Sequence, residues 1–527
     1  MKKTLIRIAA AVVQCAMVVT LFGCGGDPVN NGPSYPPVDY SSLDFSVDMG
    51  DIVSGNVSSM ASVHDPSILK VGDTYYIYGS HMAAAKSTNL KDWRRVADGY
   101  KDFNPVFGQI YSVYDEAFAW AGAPTSLNPT DDAKNGGGEH VWAPDVIYNK
   151  AMGKYVMYYC TTSNWNTSNL CYGVSDTPDG PFEWKGALIY SGFTKKTIQH
   201  TNVLDVVSED HAYSTYFRGE GYNYKSCPNA IDPSVFYDQD GRMWMVYGSW
   251  SGGIFILELD PETGLVIHPK ADKANDVDPY FGKLLLGGDH KSIEGPYILY
   301  AEGYYYLFIS YGALNRQGGY QIRVFRSENP DGPYVDMNGK TPYGGGHAAF
   351  GLKMSGNYNL PSLQRAYMAT GHNSALADTD GKYYVVYHTR FNANSEAHSP
   401  RAHQFLVNKE GWPCMLPYQT QGETVSPTGY AREQVVGRYY MINQGTAIDD
   451  KIAQPEILYL LIDGTACTKD VKGTWTMEEG TYYMSVTLGD RTFTGVFCQM
   501  PDEAGNSCMT FSAVGGNESV WGVSYGQ

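Results

Sequence analysis

The stretch Ile231-Asp232-Pro233-Ser234-Val235-Phe236-Tyr237, followed by Asp240-Gly241 and an aromatic run over residues 242–249, decides the fold. An acid stands beside proline, an apolar strand follows, a tight turn reverses the chain, and an aromatic strand returns. Asp-Gly supplies the left-handed backbone that a short reversal needs. Proline at the start of a strand withholds no N–H from the ladder. The unit is a β-hairpin, and it occurs five times. The other copies are His64-Asp65-Pro66-Ser67-Ile68-Leu69 with a Gly72-Asp73 turn, Trp142-Ala143-Pro144-Asp145-Val146-Ile147-Tyr148 with Gly153, Ile293-Glu294-Gly295-Pro296-Tyr297-Ile298-Leu299 with Glu302-Gly303, and Gly371-His372-Asn373-Ser374-Ala375-Leu376 with Asp380-Gly381. A second element recurs between copies: Ser175-Asp176-Thr177-Pro178-Asp179-Gly180-Pro181-Phe182 and Ser327-Glu328-Asn329-Pro330-Asp331-Gly332-Pro333-Tyr334, with a looser third at Ser87-Thr88-Asn89-Leu90-Lys91-Asp92-Trp93. These read as outer strands and turns.

The copies start 77, 90, 62 and 78 residues apart, more than the roughly 40–50 that a four-stranded blade takes. The surplus reads as long loops. The chain is therefore predicted to be all-β, a five-bladed β-propeller over residues 43–425. A β-sandwich with coincidental hairpins is the rival. After Pro417 the pattern changes to short alternating strands, as in Glu456-Ile457-Leu458-Tyr459-Leu460 and Thr492-Phe493-Thr494-Gly495-Val496-Phe497. Residues 430–527 are expected to form a small C-terminal β-barrel or sandwich. Trp475 and Trp521 there could bind sugar, but packing is the commoner use.

The N-terminus reads as an export signal. Lys2, Lys3 and Arg7 precede an apolar run over residues 8–22, too short to span a bilayer comfortably. Leu21-Phe22-Gly23-Cys24-Gly25 resembles a bacterial lipobox, with Cys24 as the lipidated residue. Residues 1–24 are the expected lipoprotein signal and residues 25–42, rich in Gly, Pro, Ser and Asn, a flexible tether. That places the protein outside the cytoplasm, anchored in a bacterial envelope at the cell surface or in the periplasm. Of nine cysteines, seven lie beyond Cys24. An odd number leaves one unpaired, and buried free thiols are the plainer expectation, though Cys160 and Cys171 could pair across a hairpin.

Composition narrows the function. Among 527 residues, 38 Lys and Arg oppose 55 Asp and Glu, a net charge of −17. Such a balance excludes no local basic patch, but it argues against nucleic acid and polyanionic substrates. The 43 Tyr exceed the 10 Trp and 19 Phe together. Aromatic faces stack on sugar C–H faces while their polar edges stay wet.

In a propeller the innermost strand of each blade lines the axis, so matching positions of distant copies converge. Those positions are read as Asp65, Asp145, Asp232, Glu294 and His372. Clustered carboxylates raise one another's pKa, which keeps one of them protonated as a general acid. Two carboxyl groups about 6.5–9.5 Å apart, with a water between, hydrolyse a glycosidic bond with inversion. Singly, an Asp before Pro often makes only an Asx turn; Asp145 is read as bonding backbone amides between blades.

In this order, His64-Asp65-Pro66-Ser67-Ile68, Trp142-Ala143-Pro144-Asp145, Asn229-Ala230-Ile231-Asp232-Pro233-Ser234, Ile293-Glu294-Gly295-Pro296-Tyr297 and Gly371-His372-Asn373-Ser374 resemble glycoside hydrolase family 43, and within it the endo-α-1,5-L-arabinanases. The resemblance covers roughly residues 60–415. It implies inverting hydrolysis of internal arabinan bonds, with Asp65 as general base, Glu294 as general acid, and Asp232 orienting the acid and tuning its pKa. It implies a metal, usually calcium, on the axis near His372. Calcium prefers oxygen ligands, so one His with waters completing the shell is the form expected. Trp142 and Trp165, on loops that should ring the cleft, resemble the family's sugar-stacking aromatics; Asn229, Ser249 and Trp250 are placed to bond sugar hydroxyls. Long insertions at 95–140 and 312–370 would sit between blades and lengthen or block the cleft. An exo-acting arabinofuranosidase or xylosidase is the rival enzyme, and a non-catalytic glycan-binding lipoprotein the rival of another class. The protein is expected to act as a monomer.

Overall fold

The computed structural model describes residues 35, 38–56, 61–99, 104–108, 120–121, 141–164, 166–344 and 347–526. The signal, Cys24, Trp165 and most of the 95–140 stretch lie outside them. No helix among the described residues is long and apolar enough to cross a membrane.

Each predicted hairpin opens a sheet that runs outward in sequence order. The first blade is Ser67–Val71, Thr74–Gly79, Ala83–Ser87 and Arg94–Ala97; the second is Val141–Asn149, Lys154–Asn164, Thr167–Ser175 and Glu183–Ser191. The third begins Ser234–Tyr237, Met243–Tyr247 and Ile254–Leu259, and takes Gly282–Leu286 as its next strand. The fourth is Ile293–Ala301, Tyr304–Tyr311, Gln321–Ser327 and Leu352–Ser355; the fifth is Tyr367–Ala377, Tyr383–Phe391, His398–Val407 and Pro413–Met415. The turns behave as their residues dictate: Gly72, Gly153, Gly241, Gly303 and Gly381 all have φ between 58° and 88°. The 312–370 stretch is built largely into the fourth blade. It supplies the two outer strands of the fourth blade and a segment whose Tyr358 and Asn359 bond the barrel domain's Ala453 or pack beside it.

Alternation along each strand sends side chains to both blade faces, and five apolar cores fill the five gaps. Tyr78, Val146 and Met157 pack between the first two blades; Tyr158, Val235 and Met245 between the next two; Val246, Ile298 and Leu307 between the third and fourth. Phe308, Val385 and Phe405 fill the next gap, and Ile77, Trp93 and Val386 the last. Since each blade is contiguous chain, the ring closes through side chains. Ser374 of the fifth blade donates to the Pro66 carbonyl (2.6 Å) and accepts from the Ile68 amide (3.0 Å). Buried Asp378 takes Lys70 and the Tyr75 hydroxyl (2.5 Å).

Asp145 ties three blades. One carboxylate oxygen accepts from Ser67 of the first blade and the other from the Val235 amide of the third at 2.6 Å. Burial pushes its pKa up to about 6 despite those bonds. A carboxyl held above its unfolded value favours the folded state fully below the unfolded pKa and loses that contribution as pH rises through the folded one. The loss falls between about pH 4 and 6 and amounts to about 3 kcal/mol at neutral pH. Asp145→Asn cannot ionise; its Oδ1 can accept from the Val235 amide while its Nδ2 donates to Ser67 Oγ. Its thermal midpoint should match wild type near pH 4 and exceed it above about pH 7; a lower midpoint at both would refute the linkage.

All seven described cysteines are free and buried. Cys160 does not pair with Cys171: their strands align Cys160 with Leu170 and Tyr159 with Cys171. That one-residue offset sends the two sulfurs to opposite faces of the blade.

The tail forms a closed eight-stranded barrel, from Gly437–Asn443 to Glu518–Ser524. Its interior is packed by Tyr439, Leu458, Trp475, Phe493, Phe497 and Phe511. Trp521, also fully buried, faces the propeller and meets Tyr358 edge-on at 5.1 Å. Both tryptophans are packing residues. The end of the expected tether is not free chain: Val38 packs on the barrel and Tyr40 bonds Asp463 at 3.1 Å.

Candidate active site

Five residues meet on the axis, one per blade, and all carry left-handed backbone: Asp65 (φ 52°), Ala143 (41°), Asp232 (57°), Gly295 (61°) and His372 (46°). This corrects the register read from sequence. The matching positions hold Ala143, not Asp145, and Gly295, not Glu294. β-Bulges between Trp142 and Asp145 and between Glu294 and Tyr297 displace the two acids. Glycine at 295 leaves room for its neighbour: a Cβ there would come within 3.0 Å of the His372 ring.

The axial positions are held by a second ring that sequence reading missed. One residue in or just after each blade's second strand reaches the next blade. Ser80 accepts from the Ala143 amide (2.9 Å) and Ser310 from the His372 amide (2.7 Å). His388 Nδ1 accepts from the Asp65 amide (3.3 Å), the Asp232 amide reaches the Cys160 sulfur, and Ser249 donates to Glu294 (3.2 Å). A signal existed: in each repeat a Ser, Cys or His follows the aromatic strand, as in Tyr78-Gly79-Ser80 and Tyr247-Gly248-Ser249.

Asp65 is 8% exposed. Its Oδ1 lies 2.8 Å from His64 Nδ1 and 3.1 Å from His372 Nδ1, and its Oδ2 accepts from Ser80. Burial pushes its pKa up, but His372 and His64 outweigh this and hold it well below the usual carboxylate range. His64 stacks on His388 at 4.0 Å, and Arg390 approaches both imidazoles. Burial pushes the Asp232 pKa up; His372 opposes this, while Glu294 and Asp65 add to it. Its Oδ2 accepts from the Gly295 amide at 3.2 Å. Burial also disfavours a charged His372, yet the carboxylates of Asp65, Asp232 and Glu294 hold its pKa above the ordinary value. The three predicted carboxyls thus surround one imidazole.

Glu294 is clamped on both oxygens. Oε2 accepts from Ser249 and from Trp250 Nε1 (2.8 Å), and Oε1 from the Tyr320 hydroxyl (2.8 Å). Ser249 and Trp250, predicted as sugar contacts, therefore hold the acid directly. Tyr320 was missed; it carries no repeat signature. Asn229 is buried and its Oδ1 accepts from Ser191 at 3.3 Å. Trp142 lies within the strand Val141–Asn149, half-buried, and not on a loop.

On the axis a cavity of about 20 Å³ has room for one water-sized species. Its wall includes Ser67, Asp145, Ser234, Asn373 and Ser374, with Asp65, Asp232 and His372 at the same ring. Ser234 Oγ and Asn373 Oδ1 are buried there without a hydrogen-bond partner. Orphaned oxygens beside the carboxyls of Asp65, Asp145 and Asp232 are the donor type that a hard cation such as calcium takes.

Residues 115–413 match the family model described as glycosyl hydrolases family 43, and residues 417–522 match one described as a C-terminal lipocalin-like domain. The chain is 38% identical to an extracellular endo-α-(1→5)-L-arabinanase of Thermotoga petrophila, over 88% of this chain and 93% of that one. It is 36% identical to extracellular endo-α-(1→5)-L-arabinanase 2 of Bacillus subtilis, over 88% and 92%. The crystal structure of the Thermotoga petrophila endo-1,5-α-L-arabinanase superposes with a TM-score of 0.75 at 37% identity, covering 88% of this chain and 98% of that one.

Proposed function

The chain belongs to the glycosyl hydrolases of family 43, and from that premise we propose that it cleaves internal α-1,5-L-arabinofuranosidic bonds of arabinan with inversion at the anomeric carbon. The observation that carries the reading is the convergence of Asp65, Asp232 and Glu294 around His372. Asp65 is the general base. Its low proton affinity keeps it ionised, and it takes a proton from the water that attacks the anomeric carbon. Glu294 is the general acid, giving a proton to the departing sugar oxygen. Asp232 orients that acid through the Gly295 backbone and sets the charge around it. Contacts of 3.1, 3.5 and 2.8 Å lead from Asp65 Oδ1 through His372 Nδ1 and the Tyr320 hydroxyl to Glu294 Oε1, so the two oxygens are no more than 9.4 Å apart. That bound admits the span of about 6.5–9.5 Å in which an inverting pair accommodates water.

His372, with the oxygens of Ser234 and Asn373, would hold calcium. When bound, it supplies fixed positive charge that screens the three carboxyls from one another. Trp142 and Trp165 remain proposed sugar-stacking residues and Asn229 a proposed polar contact. The names of the relatives and the signal-like N-terminus support export; a lipid anchor at Cys24 and a monomeric chain are proposed with it.

Incubation with linear arabinan followed by sizing of products tests the reading. Oligomers should appear before arabinose. Arabinose alone from the outset would show exo cleavage, and release of the β-anomer, followed by NMR, would show inversion.

A further inference from the structure

Three aromatic rings run outward from the acid. Trp250, half-buried, gives its indole N–H to Glu294 at 2.8 Å. His290, exposed, lies 5.5 Å from the Trp250 ring, and Tyr224, 38% exposed, meets His290 edge-on at 5.3 Å. None of the three is spent on an apolar core. The loops that carry them are knitted together: the His290 amide donates to the Ser251 carbonyl (2.8 Å), the Asp289 amide to the Lys225 carbonyl (2.8 Å), and Lys225 pairs with Asp289 (2.8 Å). The backbone is left-handed at Trp250 (48°), Asp289 (53°) and His290 (56°). Non-glycine residues are held that way only where the surroundings over-determine them. The exposed rings are thus positioned firmly and face solvent beside Glu294.

Proton donation defines a direction. The acid stands next to the oxygen that leaves, so the departing part of the chain lies on its side of the bond. We propose that Trp250, His290 and Tyr224 are the leaving-group side of the cleft, stacking against the C–H faces of the furanose rings that follow the cut bond. This rests on the arabinan reading and adds the residues that set how far the enzyme reaches beyond its cleavage point. His290 and Tyr224 are positioning residues, remote from the reacting atoms.

The test is a series of linear arabino-oligosaccharides of increasing length, labelled with ¹⁸O at the reducing end, hydrolysed by wild type and by the His290→Ala/Tyr224→Ala double variant. In wild type, kcat/KM should rise with length. In the variant the longest substrates should lose about tenfold in kcat/KM while the shortest change less than about twofold, and the cut should move toward the labelled end. His290→Phe/Tyr224→Phe should restore the wild-type pattern, because a ring is all that stacking needs. An unchanged dependence on length, a uniform loss at every length, or no rescue by Phe each overturns the proposal. Wild type that cleaves none of the series would instead overturn the arabinan reading itself.

Discussion

Asp65→Asn should abolish turnover on arabinan, lowering kcat by about 10³- to 10⁴-fold, while binding of arabino-oligosaccharide by calorimetry stays within a few-fold of wild type. The argument is local. Asp65 Oδ1 is faced by the Nδ1 atoms of two imidazoles, His64 and His372, and Oδ2 by the Ser80 hydroxyl. These neighbours keep the carboxylate charged inside a buried site. An amide has nearly the same shape and keeps the Ser80 bond, but it has no basic lone pair with which to take a proton from water. Because the base acts in every turnover, the loss should be as large for an aryl arabinofuranoside as for the polymer. A kcat within tenfold of wild type would remove Asp65 from the role of general base. The chain of the Asp65 amide, His388 and Arg390 behind the base should hold the variant's backbone in place, so circular dichroism and the thermal midpoint should change little.

The hairpin repeats were legible because each is a local matter: a turn residue with left-handed backbone, a proline that gives up no hydrogen bond, and an aromatic return strand. Asp65 and Asp232 were found at matching points because each lies just before an inner strand, Ser67–Val71 and Ser234–Tyr237, whose pairing carries no register shift; His372 was found at its point although its own strand is irregular on both sides of Gly371. Asp145 and Glu294 were assigned the wrong register because bulges insert residues into the inner strands of the second and fourth blades. Period-two reasoning has no access to a bulge. Consequently Asp145 became an inter-blade tie, as its alternative reading held, and Glu294 reaches the site from one position before the ring. Tyr320 was invisible for another reason: it lies just before the third strand of the fourth blade, two strands out from the one that carries Glu294, and its hydroxyl meets that acid only in the folded sheet. Ser249 and Trp250 were recognised as site residues, but their partner is Glu294, which lies 45 and 44 residues further along. Contacts across blades depend on the tilt of neighbouring sheets, which no local pattern encodes. The barrel was legible as β-structure and not as closed, because closure requires pairing its first strand with its last.

Glu294→Ala should separate the two carboxyls by chemistry. A sugar oxygen is a poor leaving group and needs a proton as the bond breaks; a nitrophenolate needs none. The variant should therefore lose about 10³- to 10⁴-fold in kcat/KM on arabinan but less than about tenfold on a dinitrophenyl α-L-arabinofuranoside. The clamp around Glu294 makes the comparison clean. Ser249, Trp250 and Tyr320 each donate to it and all three are neutral, and buried His372 keeps the carboxylates of Asp65 and Asp232 when the acid is removed. The three freed donors can be met by water entering the space of the side chain. Asp65→Asn, by contrast, should fail on both substrates, since attack by water is needed whichever group departs. The pair of variants thus distinguishes donor from acceptor of the proton without any structure of a complex. Equal losses for Glu294→Ala on both substrates would mean that the residue supports the site electrostatically or sterically and that the proton comes from elsewhere. Asp232, whose own proton affinity burial raises, would then be the group to replace next, with the same two substrates deciding.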